Sequence, residues 1–285
     1  SLFKNYFEQA DNSIKHSLLV QYRMHSDISD IVNRFYDNRL INGCTPEQEL
    51  NGKAHDMSIK GLDGLPLIRP ERHAYWIDSS NLPSGKPVYE TFLGYSTSAC
   101  NFLEIYLIIE LLKKMADAHR NAWLESGGKD TKSVGVISFY QMQVNELRRM
   151  WKNARQQFDF SPLSVEINTV DRFQGKEKNI IIASLVRNNK SGKASKHVIS
   201  FERINVAFSR AQELLVIVGA RHMYEGLQVE LPNMDRPGHK TVPVYQNIIA
   251  TLHRKACYKG SEKLITPELE QAILEKYEKE RRDRR

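Results

Sequence analysis

Cysteine is scarce in this sequence: Cys44, Cys100 and Cys257 are the only three in 285 residues. They are too few for a disulfide framework and too far apart for a metal-ligand spacing, so they read as thiols of a reducing compartment, and no metal site is expected. No apolar run is long enough to cross a bilayer, and the start Ser1-Leu2-Phe3-Lys4 carries no secretory signal pattern. The chain is therefore expected inside the cell, cytoplasmic or, in a eukaryote, nuclear, and its abrupt start is expected of a piece of a longer protein. No Gly-x-x-x-x-Gly-Lys-Ser/Thr loop occurs, nor an Asp-Glu pair at the end of an apolar strand. Their absence excludes a self-contained phosphate loop with its magnesium carboxylate. The lack of a Gly-x-Gly-x-x-Gly turn argues equally against a dinucleotide-dependent enzyme. No internal repeat is present.

What is there suits a soluble globular chain with a sizeable core: 41% apolar and 26% charged residues. The formal charge of +7 favours a polyanionic partner, because lysines and arginines that neutralise phosphates release condensed counterions.

Apolar periodicity predicts alternating strands and helices. Strands are expected at Leu18 to Val20, Ala74 to Asp78, Val134 to Phe139, Val165 to Thr169, Ile180 to Val186 and Leu214 to Val218. Helices are expected at Asp27 to Tyr36, Ser96 to about His119, Gln141 to Gln157, Glu202 to Ala211, Val244 to Tyr258 and Pro267 to Arg285. Residues 40–72 and 81–95, rich in Gly, Pro, Asn and charge, read as irregular loops. Such alternation argues a doubly wound α/β fold, a parallel sheet covered on both faces, with ligand chemistry at the carboxyl ends of the strands.

Three segments carry candidate chemistry. As a helix, Glu202 to Ala211 sets Arg203 and Arg210 two turns apart on one face, a phosphate clamp of two permanently charged forks. Val165 to Glu177 is a strand followed by a polar turn with Gln174, Gly175 and Glu177; glycine permits close backbone approach, and Glu177 can accept from hydroxyls. Gln21-Tyr22-Arg23-Met24-His25 sets an aromatic ring beside an arginine, a pair able to stack a base and hold a phosphate.

Together with Val134 to Gln143, these segments resemble the C-terminal motifs of superfamily 1B helicases, the class of the nonsense-mediated-decay helicase and senataxin. Four ordered motifs match, from about Leu18 to about Tyr224; Ser26, Phe139 and Gln212 depart from residues frequent in the family. The resemblance implies a RecA-like doubly wound parallel sheet of the P-loop NTPase superfamily, the second of two such domains, without the phosphate loop of the first. It implies residues 1–17 as a lead-in from that first domain, 18–258 as the RecA-like domain and 259–285 as a charged helical tail. ATP and Mg2+ would be bound mainly by the first domain. Arg23 and Arg210 would then reach the γ-phosphate, Arg203 would join the nucleotide site, Tyr22 would pack near the adenine, Glu177 would bond the ribose beside Gly175, and Gln174 would couple the two functions. Ser138, Tyr140, Gln143 and Thr169 would line a track for single-stranded DNA or RNA. A monomer is expected, inactive without its first domain. The alternative is a non-catalytic nucleic-acid-binding module on the same fold, against which the retention of both arginines argues.

Overall fold

The computed structural model describes residues 19–233 and 238–282. The lead-in at 1–17, the Leu18 end of the first expected strand and the closing arginines lie outside the described residues. Six parallel strands form the central sheet: β1 (Ala74–Asp78), β2 (Lys132–Ser138), β3 (Leu163–Thr169), β4 (Lys178–Ser184), β5 (Ala211–Gly219) and β6 (Tyr258–Lys259), in the order β6-β1-β5-β4-β2-β3. The two central strands carry unbroken apolar runs, Ile180 to Ala183 and Leu214 to Val218, with no side-chain exposure. Such runs belong to strands covered on both faces, and each fully buried Ile or Leu contributes about 1.5–3 kcal/mol.

The helices longer than four residues are α1 (Ser26–Val32), α2 (Pro46–Gly52), α3 (Phe102–Glu125), α4 (Gln141–Gln157), α5 (Phe201–Phe208), α6 (Val244–Arg254) and α7 (Pro267–Arg282). Residues 40–72, expected irregular, hold more order than their composition implies: a short parallel pair, Val20–Gln21 with Ile41–Asn42, helix α2, and a hairpin of Ile59–Lys60 with Pro66–Ile68. Helix α2 starts at a capping box: the Thr45 hydroxyl accepts from Gln48 N while the Gln48 side chain accepts from Thr45 N, with Pro46 pre-set in the first turn. The long helix starts six residues later than expected, because Ala99–Cys100 pairs with Thr91–Phe92 as a hairpin before Asn101 caps α3.

The segment from 259 onward closes onto the domain. Strand β6 extends the sheet beside β1, Leu264 and Ile265 are buried, and α7 packs Ile273 and Tyr277 inward.

One connection is unusually short. Only residues 170–177 separate the carboxyl end of β3 from the amino end of β4, whereas a parallel crossover normally takes a dozen residues or more. The passage crosses β2 on a one-turn 3-10 helix, Val170–Phe173, and Phe173 lies over Gly135 of β2. A Cβ at Gly135 would stand 2.9 Å from the Phe173 ring and 2.7 Å from Ile181, so glycine is what lets the chain pass.

Candidate functional site

Turn 21–25 is laced by one side chain. The Gln21 Oε1 accepts from Arg23 N (3.0 Å) and Met24 N (2.8 Å), while its Nε2 donates to Met24 O (3.0 Å) and Asn42 Oδ1 (2.8 Å). Met24 is buried as an anchor, and His25 N donates to Gln212 O at 2.9 Å, fixing the turn to the start of β5. Tyr22 is 64% exposed and its ring lies across Gly43, where an added Cβ would meet it at 2.4 Å.

From this turn Arg23 Nε donates to Glu177 Oε1 at 2.5 Å and its terminal nitrogen to Ser209 O at 3.2 Å. The other Glu177 oxygen accepts from Gln212 Nε2 at 3.0 Å. Arg210 completes the group: its Nε donates to Val206 O (3.1 Å) and its terminal nitrogens reach Ser209 Oγ (3.3 Å) and Lys176 O (3.5 Å). Burial, and then repulsion from Arg23, hold the Arg210 guanidinium below its usual range. Burial would raise the Glu177 carboxyl, but the hydrogen bond and charge of Arg23 outweigh it and hold Glu177 below the ordinary carboxylate range. One guanidinium thus pairs with the partly exposed Glu177 carboxylate while the second, on Arg210, lies within electrostatic reach of both, an arrangement suited to bind a polyanion.

The location corrects one expectation. Glu177 and Arg210 immediately precede β4 and β5, so the cluster lies at the amino ends of the central strands and not at their carboxyl ends. A second correction concerns the arginine helix: α5 ends at Phe208, with Ser209 as its C-cap, so Arg210 stands beyond it and shares no helical face with Arg203. Arg203 instead pairs with Asp171 of the 3-10 turn at 2.7 Å. Gly175 is exposed with φ 82°, and a Cβ there would meet nothing within 4 Å; its requirement is conformational, not one of close packing. Gln174 is exposed at the end of the same turn.

The four residues expected to line a nucleic-acid track sit at or just beyond the carboxyl ends of β2 and β3, across the sheet from the arginines. Two of them are not on the surface. Ser138 is fully buried with its hydroxyl on Ser184 O (3.3 Å), and Gln143 is fully buried, accepting from Asn101 N (2.8 Å) and donating to Ser184 Oγ (3.0 Å). Both brace the carboxyl ends of the strands and are withdrawn as direct contacts with a bound strand. Tyr140 is buried and joins its hydroxyl to Ser195 Oγ. Thr169 is half-buried, at the strand end.

These braces belong to a larger buried network that the motifs did not reveal. Glu104, in the first turn of α3 and with no exposure, accepts from Ser79 Oγ (3.1 Å), Ser184 Oγ (2.6 Å) and Val186 N (3.0 Å). Val186 has φ 71°, an uncommon conformation for a β-branched residue, held by these bonds. Burial pushes the Glu104 carboxyl up to about 8. Gln212 was also missed as a site residue: its amide supplies no charge, yet it orients Glu177.

A parallel sheet with helices on both faces, an arginine pair at the amino ends of its central strands and no phosphate loop define the RecA-like class, in the form of a superfamily 1B helicase C-terminal domain. The chain belongs to the AAA domain family AAA_12, which matches residues 1–222. It is 31% identical over 227 residues to the DNA replication ATP-dependent helicase/nuclease dna2 of Schizosaccharomyces pombe, covering 77% of this chain and 15% of that protein. It is 31% identical over 207 residues to Helicase sen1 of the same yeast, covering 71% of this chain and 10% of the relative. With the DNA replication ATP-dependent helicase/nuclease DNA2 of Homo sapiens it shares 26% identity over 234 residues, 77% of this chain and 20% of the relative. The chain therefore spans a fifth or less of the length of these relatives.

Proposed function

We propose that this chain is the C-terminal half of an ATP-dependent superfamily 1 helicase acting on single-stranded DNA or RNA, and that it completes an ATP site shared with a RecA-like domain preceding it. The observation that carries this reading is the convergence of Arg23 and Arg210 beside Glu177, in a chain with no phosphate loop of its own. ATP and Mg2+ would be held mainly by the preceding domain. This chain's part is to present two guanidiniums to the γ-phosphate, where charge develops during transfer, with Tyr22 beside the base and Glu177 turned toward the ribose. In the structure Arg23 rests on Glu177, so binding exchanges a carboxylate partner for a phosphate one and leaves Glu177 to accept from a hydroxyl. Arg203, tied to Asp171, supports the turn that leads to Gln174 and Gly175, and does not join the phosphate clamp. Thr169 and Tyr140 remain the residues proposed for the strand-binding end.

The test is steady-state ATP hydrolysis by a longer protein that includes the preceding domain, with and without single-stranded DNA or RNA. Arg210→Ala should lower turnover about 10³-fold or more, as loss of an arginine finger does elsewhere. Turnover within a few-fold of wild type would refute the assignment. In the same protein, Thr169→Ala should weaken single-strand affinity, and Gln174→Ala should impair unwinding more than hydrolysis; equal losses in both would count against a coupling role for Gln174.

A further inference from the structure

A cavity of about 810 Å³ opens where three segments meet: the stretch leading into the 91–100 hairpin, the loop that follows β4, and helix α7. Its walls carry Tyr89 and Phe92 from the first, Asn189 and Lys190 from the second, and Tyr277 and Arg281 from the third. The loop after β4 leaves the carboxyl end of the sheet, so this cavity is separated from the Arg23–Arg210 cluster by the length of the strand, about 20 Å at 3.3 Å per residue.

The cavity is built rather than incidental. Glu90 locks the first two walls together: its backbone N donates to Asn188 O (2.8 Å), and its carboxylate accepts from Asn188 N (2.6 Å), Asn189 Nδ2 (2.9 Å) and Arg187 (3.0 Å). The acid is buried and neutralised within the wall, so it does not oppose an anion in the cavity. The third wall is anchored by Ile273, fully buried, and Tyr277, 7% exposed. On the rim, the Lys190 ammonium lies 5.9 Å from the Tyr89 ring centre and the Arg281 guanidinium 5.5 Å from that of Tyr277. Neither cation makes an ion pair among the described residues. Rings interleaved with cations that carry no acidic partner are the chemistry by which proteins hold a base by its face and a backbone by its phosphates, without regard to sequence.

We propose that this cavity is a subsite for single-stranded nucleic acid, taking one base against Tyr89 and Phe92 while Lys190 and Arg281 bind the flanking phosphates. The inference rests on the helicase reading for the identity of its ligand class and adds to it a role for α7, which lies outside the matched family region. Helix α7 thereby supplies half of a nucleic-acid site, and the hairpin wall supplies the stacking surface.

The experiment is fluorescence anisotropy of labelled dT12 and U12 oligonucleotides with this chain, for wild type, the double variant Lys190→Glu/Arg281→Glu, and Tyr89→Ala. The charge reversals are on exposed side chains, and an unchanged melting temperature checks the fold. Affinity should fall tenfold or more in the double variant, with the slope of log K against log salt shallower by about 1 to 2. Tyr89→Ala should cost roughly fivefold or more with the salt slope unchanged. An oligomer carrying 5-iodouracil should crosslink to the segment containing Tyr89 and Phe92. Unchanged affinity in both variants, or no binding by the wild type, overturns the site; competition by thymidine monophosphate as strong as by dT12 overturns its assignment to a strand. Loss of turnover in Arg210→Ala alongside unchanged affinity in these variants removes this site and leaves the two-domain ATPase standing. Weakened strand binding here with normal turnover in Arg210→Ala does the reverse.

Discussion

Glu104 makes the stability of this domain fall as pH rises through neutrality. Its carboxyl is fully buried at the carboxyl ends of β1 and β4, and its folded value of about 8 lies well above the 4.5 expected when exposed. A raised carboxyl contributes stability that is present below the unfolded value and is lost as pH climbs toward the folded one, because the unfolded chain releases the proton first. The full difference of about 3.5 units corresponds to about 5 kcal/mol at 1.36 kcal/mol per unit. Comparison with Glu104→Gln between pH 6.5 and 8.0 isolates it. His25, His55 and His73, all held below their usual range chiefly by burial, act in the opposite sense there, as the unfolded imidazoles lose their last protons, and the buried Cys100, pushed up to about 12, has barely begun to contribute. Over those 1.5 units the wild type should lose about 2 kcal/mol in urea unfolding relative to Glu104→Gln, which keeps the shape and an acceptor for Val186 N and titrates only through the other groups. A wild-type curve parallel to that of Glu104→Gln between pH 6.5 and 8.0 would refute the reasoning, since the carboxylate would then be ionised in both states. Glu104→Ala would be destabilised throughout, leaving Ser79, Ser184 and Val186 N without their acceptor.

Three further outcomes follow from neighbouring features. In the Glu104→Gln background, stability should drop by about 2 kcal/mol between pH 6.5 and 5, because His55, held down to about 4 by burial, must stay neutral: its Nδ1 accepts from Met57 N and its Nε2 faces Arg72 O. His55→Gln should flatten that acid limb in the same urea titrations; a limb that keeps its slope would assign it to another group. Gly135→Ala should destabilise by about 1–3 kcal/mol, since its Cβ would press on Phe173 and Ile181, and equilibrium unfolding within 0.5 kcal/mol of wild type, the usual scatter of surface changes, would show that the passage relaxes. Gly43→Ala should barely alter the melting temperature but push the Tyr22 ring from its place, raising KM for ATP in the longer protein several-fold; an unchanged KM would remove Tyr22 from the nucleotide site.

The regular parts of the fold were legible where periodicity was strong. Helix α4 at Gln141–Gln157 and strand β1 at Ala74–Asp78 have the bounds expected, because a 3.6-residue apolar stripe and a short apolar run admit few other readings. Residues 40–72 were misread for want of long-range pairing, although the Thr45-Pro46-x-Gln48 signal for α2 stood in the sequence. The arginine cluster was legible as a set of residues but not as a place. An eight-residue return after β3 is too short to suggest a crossover, so Glu177 appeared to belong to the same end as Thr169. Ser138 and Gln143 look like surface polar groups in one dimension; only the fold shows that Ser184, Asn101 and Glu104 meet them inside. Arg203 and Arg210 satisfied helical spacing, but the helix stops at Phe208 so that the chain can turn into β5.

The passage from Thr169 to Lys178 has a mechanical character. Its ends must span about 22 Å, six residues of strand rise combined with two interstrand spacings. A four-residue 3-10 helix and the four residues that follow, two of them in a turn closed by Lys176 N donating to Phe173 O (3.1 Å), reach little farther than that, so the link has almost no slack. A slack loop absorbs a displacement, whereas a taut one passes it on, as a connecting rod joins piston to crank. On the proposed reading, a shift imposed at the strand end of Thr169 would be felt at Glu177, on which Arg23 rests, with the turn at Gln174 and Gly175 as the pivot of that rod.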